Sequence, residues 1–214
     1  MNILAIDTCL DACSAAVWAG GAVLARSAEA MARGHQERIG PMVRELTEAS
    51  GLAFAGLDRI GVTVGPGSFT GLRVGLAFAK GLALALEKPC IGVGVLEALA
   101  RAAPGQAFTA AAIDAHRGQV YLQVFADGRA VMAPDVLPVE TASARLIELY
   151  GGGPARLVGS GGPLLHAALP HAHLEPHATP DPAVIAAIAA EAKPPFAPPR
   201  PLYLRAPDAR PMAS

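Results

Sequence analysis

Apolar and polar positions recur along the chain with two periods, and the changes from one to the other mark its elements. Residues 2–7, Asn-Ile-Leu-Ala-Ile-Asp, are an apolar run ending on an acid. Two further apolar stretches, 13–19 and 22–27, flank Gly20-Gly21, a pair that adopts tight hairpin geometry at no steric cost. Three successive antiparallel strands are predicted. From His35 to Ser50 the period lengthens: Ile39, Met42, Val43 and Leu46 recur at helical spacing, with Glu37, Arg44, Glu45 and Glu48 on the other face and Gly51 closing the helix. Gly40-Pro41 either kinks this helix or marks its start.

Residues 59–86 organise the rest. Ile60, Val62 and Val64 alternate as in a buried strand, Gly65-Pro66-Gly67 breaks it, and Ser68 can accept a hydrogen bond from the free N–H groups opening a long helix. Such a junction is where phosphates often bind. It is equally a tight connection without a ligand, since the glycines match neither common phosphate-loop spacing and Pro66 removes one donor. In the helix, Gly71, Gly75, Ala79 and Ala83 form a stripe of very small side chains, while Phe69, Leu72, Leu76 and Leu82 cover much of the remainder. Arg73, Lys80 and Glu87, seven apart, lie on one narrow line. A helix this apolar is either buried in its own core or faces a partner chain, and the stripe lets a second backbone come close.

A strand at 89–93 and a short helix at 96–102 follow, giving the order βββαβαβα. Ala5-Ile6-Asp7 then recurs as Ala112-Ile113-Asp114, and Gly21 as Gly128, both 107 residues on. The second copy predicts strands at 110–114, 119–125 and 129–132, a helix at 141–150, a strand at 156–159 and a helix at 182–192. A three-strand opening followed by α/β units, repeated at half the length, is a duplicated two-lobe α/β architecture. The tail from Lys193 to Ser214 holds seven prolines, which exclude helix and favour an extended path. Leu202-Tyr203-Leu204 is the segment expected to pack, and the last residues are expected to be disordered.

Composition narrows the function. Hydrophobic residues make up 52 % of the 214 and charged residues 16 %, which favours a subunit that buries surface against others. The net charge of −1 excludes a protein that grips nucleic acid unaided. Three cysteines, Cys9, Cys13 and Cys90, make no disulfide framework. The N-terminus lacks the basic region of a signal peptide and no apolar run is expected to span a membrane, so a cytoplasmic location is predicted.

Asp7 and Asp114 end matching strands of the two repeats. In two-lobe nucleotide-binding proteins such acids face a cleft and organise a metal with phosphates; otherwise each caps its turn. The actin and sugar-kinase superfamily needs Asp-x-Gly at the first of them, and here Cys9 takes the glycine's place. Gly159 and Gly161, in the loop Val158-Gly-Ser-Gly-Gly-Pro163, could wrap a nucleoside. His166, His171, His173 and His177 read as a polar surface loop rather than a metal site, and His35 as a cap or interface contact.

Ile3-Leu-Ala-Ile-Asp-Thr8, His35 ahead of a helix, Gly65-Pro-Gly-Ser-Phe-Thr-Gly-Leu-Arg-Val-Gly75, Lys80-Gly81, Asp114-Ala-His-Arg-Gly-Gln-Val-Tyr121 and Pro201-Leu-Tyr-Leu-Arg205 resemble the TsaB (YeaZ) family nearly end to end. The resemblance implies two actin-like, RNase H-like lobes, of the fold class called ASKHA, with 1–104 the first lobe, 105–200 the second and 201–214 an extended tail. It implies a bacterial, non-catalytic subunit for N6-threonylcarbamoyladenosine at position 37 of tRNAs reading codons that start with A. That subunit binds and activates a TsaD-like transferase, is joined by a TsaE-like ATPase, meets tRNA only through the complex, and forms homodimers. Its two first-lobe helices supply the contact, which puts His35, Ile39, Met42, Leu46, Phe69, Gly71, Leu72, Gly75, Leu76, Ala79 and Ala83 at an interface. Asp7, Thr8, Cys9, Asp114, Gly159 and Gly161 become a vestigial nucleotide cleft, without cofactor or metal. The metal-binding histidine pair of TsaD has no counterpart in Val93-Gly-Val-Leu-Glu-Ala-Leu99. An active ATP-dependent kinase or hydrolase of the same superfamily is the alternative; a peptidase is disfavoured.

Overall fold

The computed structural model describes residues 1–103, 105, 108–175 and 177–205. The first lobe opens with strands β1 (Asn2–Asp7), β2 (Ala12–Ala19) and β3 (Ala22–Ala30), then α1 (His35–Ser50), β4 (Arg59–Thr63), α2 (Phe69–Leu86), β5 (Cys90–Val93) and α3 (Val95–Ala102). The second repeats the order with one added strand, β9: β6 (Phe108–Asp114), β7 (Gln119–Ala126), β8 (Arg129–Ala130), β9 (Asp135–Pro138), α4 (Val139–Leu149), β10 (Ala155–Val158), α5 (Gly162–Leu165), β11 (His173–Glu175) and α6 (Pro182–Glu191). The first sheet runs β3-β2-β1-β4-β5 and the second β11-β10-β6-β7-β8, with β9 also on β7. In both, the opening strand pairs antiparallel with its hairpin neighbour and parallel with the strand after the helix. Asp7 stands opposite Ser14 and Asp114 opposite Val120, so the duplication read from sequence is present in the strand order.

Local chemistry sets the boundaries. Ser68 caps α2, its Oγ accepting from the Gly71 N–H at 3.3 Å. Gly51 ends α1 in the left-handed conformation, donating to the Glu48 carbonyl. Helix α1 runs unbroken through Pro41, which sits on its exposed side, so the Gly40-Pro41 pair does not mark its start.

Packing crosses the lobe boundary expected from sequence. Helix α3 lies on β6 and β7 of the second sheet, and α6 lies on β1, β2, β4 and β5 of the first. Val95, Leu96, Leu99 and Ala100 join Ala111, Ile113 and Val158 in the core that also holds the α1–α2 face of the first sheet. Ile185, Ala186 and Ala189 pack with Ile3, Ala5, Ile91 and Val93 on its other face. Each lobe is therefore finished by the other half of the chain, an exchange that a boundary drawn along the sequence does not register. The small side of β4 makes room for α6: a Cβ on Gly61 would overlap the Ala189 methyl.

Other expectations are revised. Strand β8 stops at Ala130, because the Val131 and Met132 N–H groups both point at the Val124 carbonyl. His173 belongs to β11, parallel to β10, rather than to a surface loop. By length and composition α2 could cross a membrane, contrary to the expectation that no run would. Its contacts with β4 and α1 make it a core helix of the first lobe. The predicted disorder at 206–214 lies outside the described residues.

Candidate functional site

The sequence puts Asp7, Thr8 and Cys9 in a cleft and the helix after Gly65 at an interface; the structure brings the β1–β2 loop against the start of that helix, α2. Here the loop fills the helix terminus. The Ser68 N–H donates to the Cys9 carbonyl at 2.6 Å, and the Thr8 hydroxyl donates to the Gly71 carbonyl at 2.7 Å. The glycines permit this approach: a Cβ on Gly67 would overlap the Cys9 carbonyl, one on Gly71 the Thr8 carbonyl, and one on Gly75 the Thr8 hydroxyl. The backbone that meets the small-residue stripe thus belongs to the same chain.

Most of the residues expected at an interface lie inside the lobe of this single chain. Gly71, Leu72, Gly75, Leu76, Ala79 and Ala83 are buried within the lobe, as are Ile39, Met42 and Leu46 on α1. His35 is 7 % exposed, and its Nε2 has no hydrogen-bond partner. It caps nothing: the N-cap is Gly34, with no side-chain cap. Of the residues placed at the interface, Phe69 is open to solvent, at 39 %. The outward face of α2 consists of Phe69, Thr70, Arg73, Ala77, Lys80 and Leu84, the last 82 % exposed; α1 presents Glu37, Arg44, Glu45 and Glu48. Sequence periodicity marks the apolar stripe, which is the core side; the sparse line of Arg73 and Lys80 with its apolar neighbours is the solvent-facing side.

A second feature joins this face. Arg73 lies over the Phe69 ring at 3.7 Å, the Tyr203 ring stands 5.3 Å from Phe69, and Arg73 Nε donates to the Tyr203 hydroxyl at 3.1 Å. Tyr203 was legible as part of the Pro201–Arg205 motif and of a segment expected to pack, but not as a neighbour of Phe69 and Arg73.

The cleft acids stand in unlike surroundings. Asp7 is fully buried, its Oδ1 accepting from the Thr63 hydroxyl at 2.6 Å and the Cys9 N–H at 3.0 Å, while Oδ2 has no partner. Burial pushes its carboxyl above the ordinary range, against the pull of those hydrogen bonds and of His35. The Cys9 thiol donates to Thr63 at 3.1 Å, and burial beside Asp7 raises it well above the usual thiol range, which makes it a poor nucleophile. Thr63, the hub of this cluster, carries no motif; its place at the end of β4 is its only sequence signal. Asp114 is half-exposed and caps its own turn, accepting from the His116 N–H at 2.7 Å. Gly159 and Gly161 are used against β6: a Cβ on either would press into the Ala112 backbone, and the Gly161 N–H donates to the Ala112 carbonyl at 2.9 Å. Among the described residues no cluster of three His, Cys, Asp or Glu side chains could hold a metal ion. His171 Nε2 contacts the Tyr150 hydroxyl at 2.8 Å.

A family described as "TsaD: tRNA N6-adenosine threonylcarbamoyltransferase" matches residues 24–155. The Escherichia coli tRNA threonylcarbamoyladenosine biosynthesis protein TsaB is 45 % identical over 124 residues, 56 % of this chain and 53 % of that protein. The match thus spans about half the length of that relative. An uncharacterized Mycobacterium tuberculosis protein is 38 % identical over 215 residues, 99 % of this chain and 95 % of its own. The structure of a Pseudomonas aeruginosa protein with similarity to peptidase YeaZ superposes with a TM-score of 0.83 at 31 % identity, covering 95 % of this chain and 99 % of that one.

Proposed function

The chain belongs to the TsaB (YeaZ) family, and from that premise we propose that it is a non-catalytic subunit for making threonylcarbamoyladenosine in tRNA, acting by binding a TsaD-like transferase. The observation that carries this reading is the plugged terminus of α2. The N–H that would face a phosphate at Ser68 is spent on the Cys9 carbonyl, and the acid that would organise a metal, Asp7, is sealed beneath the same loop. A two-lobe fold whose nucleotide loop is filled by its own backbone is suited to binding a partner rather than to phosphoryl chemistry.

The surface supports the second half of the proposal. Phe69, Ala77 and Leu84 lie open on α2 on the same face as Arg73 and Lys80, while Glu37, Glu45 and Glu48 line α1. Two such helix pairs can meet with the acids of one against the bases of the other, which suits both a second copy of this chain and a paralogous transferase built on the same lobe. A TsaE-like ATPase would then join that complex, and tRNA would contact it through the transferase. Depleting the protein and measuring tRNA nucleosides by mass spectrometry tests the reading: modified adenosine should fall, and an unchanged level would refute it.

A further inference from the structure

The segment after α6 does more than cover the first sheet. Pro199 lies against Gly92 of β5, and the Leu202 N–H donates to the Val64 carbonyl at 2.7 Å, just past the end of β4. Tyr203 then stacks on Phe69 and holds Arg73 at the start of α2. Two residues on, the Arg205 guanidinium reaches the second lobe, donating to the Ala115 carbonyl at 2.8 Å and to the Gln119 side-chain oxygen.

The turn it reaches is held in an unfavourable form. His116, Arg117 and Gly118 have φ angles of 59°, 56° and 72°, three left-handed residues in succession of which two carry a Cβ. Inside the turn, the Ala115 N–H donates to the Gln119 carbonyl, the Gln119 N–H to the His116 carbonyl and the His116 N–H to Asp114. Its two ends, Ala115 and Gln119, are the residues that Arg205 clamps from outside.

We propose that residues 199–205 are a strap coupling the exposed start of α2 to this left-handed turn, with Arg205 as the positioning residue that keeps the turn in its strained form. A chain seated on Phe69 and Arg73 also touches Tyr203, so its docking is transmitted through Arg205 to the turn beside Asp114. That last step rests on the function proposed above; the coupling within the chain does not.

Hydrogen–deuterium exchange on the full chain tests it without any partner. Arg205→Ala should raise exchange at the Ala115 and Gln119 amides by about tenfold while amides of β1 and β4 keep their rates. Tyr203→Ala, which leaves Arg205 in place, should raise the same amides by about threefold. Because the strap holds the turn against its strain, placing glycine at 116 and 117 should reduce the effect of Arg205→Ala to under about twofold, since glycine adopts positive φ freely. Turn amides that do not respond to Arg205→Ala, or respond to it but not to Tyr203→Ala, would overturn the coupling. So would an even rise across both lobes, or an undiminished effect in the glycine background.

Discussion

The Thr8 hydroxyl donates to the Gly71 carbonyl at 2.7 Å, and a methyl on Gly71 would overlap the Thr8 carbonyl. This contact between the β1–β2 loop and α2 decides what the conspicuous glycines of the chain are for.

Gly75→Leu should therefore destabilise the monomer, by about 1–3 kcal/mol from overpacking against Thr8 and Val62. Gly81, on the same helix with nothing within 4 Å of its Cβ position, gives the contrast: Gly81→Ala should stabilise by about 0.5–1 kcal/mol. Denaturant midpoints of the two variants measure both. Equal midpoints would show that the stripe is not packed as described.

Leu84→Glu, at a position 82 % exposed, should change folding stability by no more than about 0.5 kcal/mol. It should weaken self-association and capture of a TsaD-type partner. Sedimentation of the free chain and a pull-down read the two effects; unaltered association would move the contact off this face of α2.

Cys9→Gly restores the Asp-x-Gly spacing of the nucleotide-binding superfamily. It should not restore nucleotide binding, because the Cys9 carbonyl rather than its sulfur occupies the N-terminus of α2. Titration calorimetry with Mg-ATP should show no heat for either form. Micromolar binding by the variant would place the block in the side chain and revive the kinase or hydrolase alternative.

Asp7 sets a pH dependence. Its carboxyl is raised above the ordinary 3.8 by burial, so in the window above that value the folded state holds a proton that the unfolded chain has released. Its contribution to stability is present at low pH and is lost as pH rises through the folded-state value. Asp7→Asn, which keeps an acceptor for Thr63 and Cys9, should raise the denaturation midpoint near neutrality and flatten that slope. A lower midpoint with an unchanged slope would show that ionised Asp7 is stabilising.

Much of the fold was legible because it is local. The hairpin at Gly20-Gly21, the Ser68 cap, the Gly51 stop and the strand before Gly65 each follow from residues within a few positions of one another, and the structure keeps all four. Asp7, Thr8 and Cys9 were legible as cleft residues, but not that Thr8 and Cys9 meet the start of α2. Thr63 carries no motif and Tyr203 lies in the Pro201–Arg205 motif, but the role of both was missed because each acts only through a neighbour far away in the chain.

By itself the sequence determined the element order of the first lobe, the duplication and the family, since periodicity, turn chemistry and motif spacing are written along the chain; β9, α5 and β11 of the second lobe were not read from it. Tertiary structure alone decided that α3 and α6 exchange lobes, that Asp7 is sealed while Asp114 stays open, and which face of α2 is free. A small-residue stripe admits any close backbone, and the helical period is the same whether that backbone comes from another chain or from residues 8 and 9. Gly65 to Gly75 therefore fits its own first loop against the helix, and leaves Phe69, Arg73 and Leu84 facing solvent.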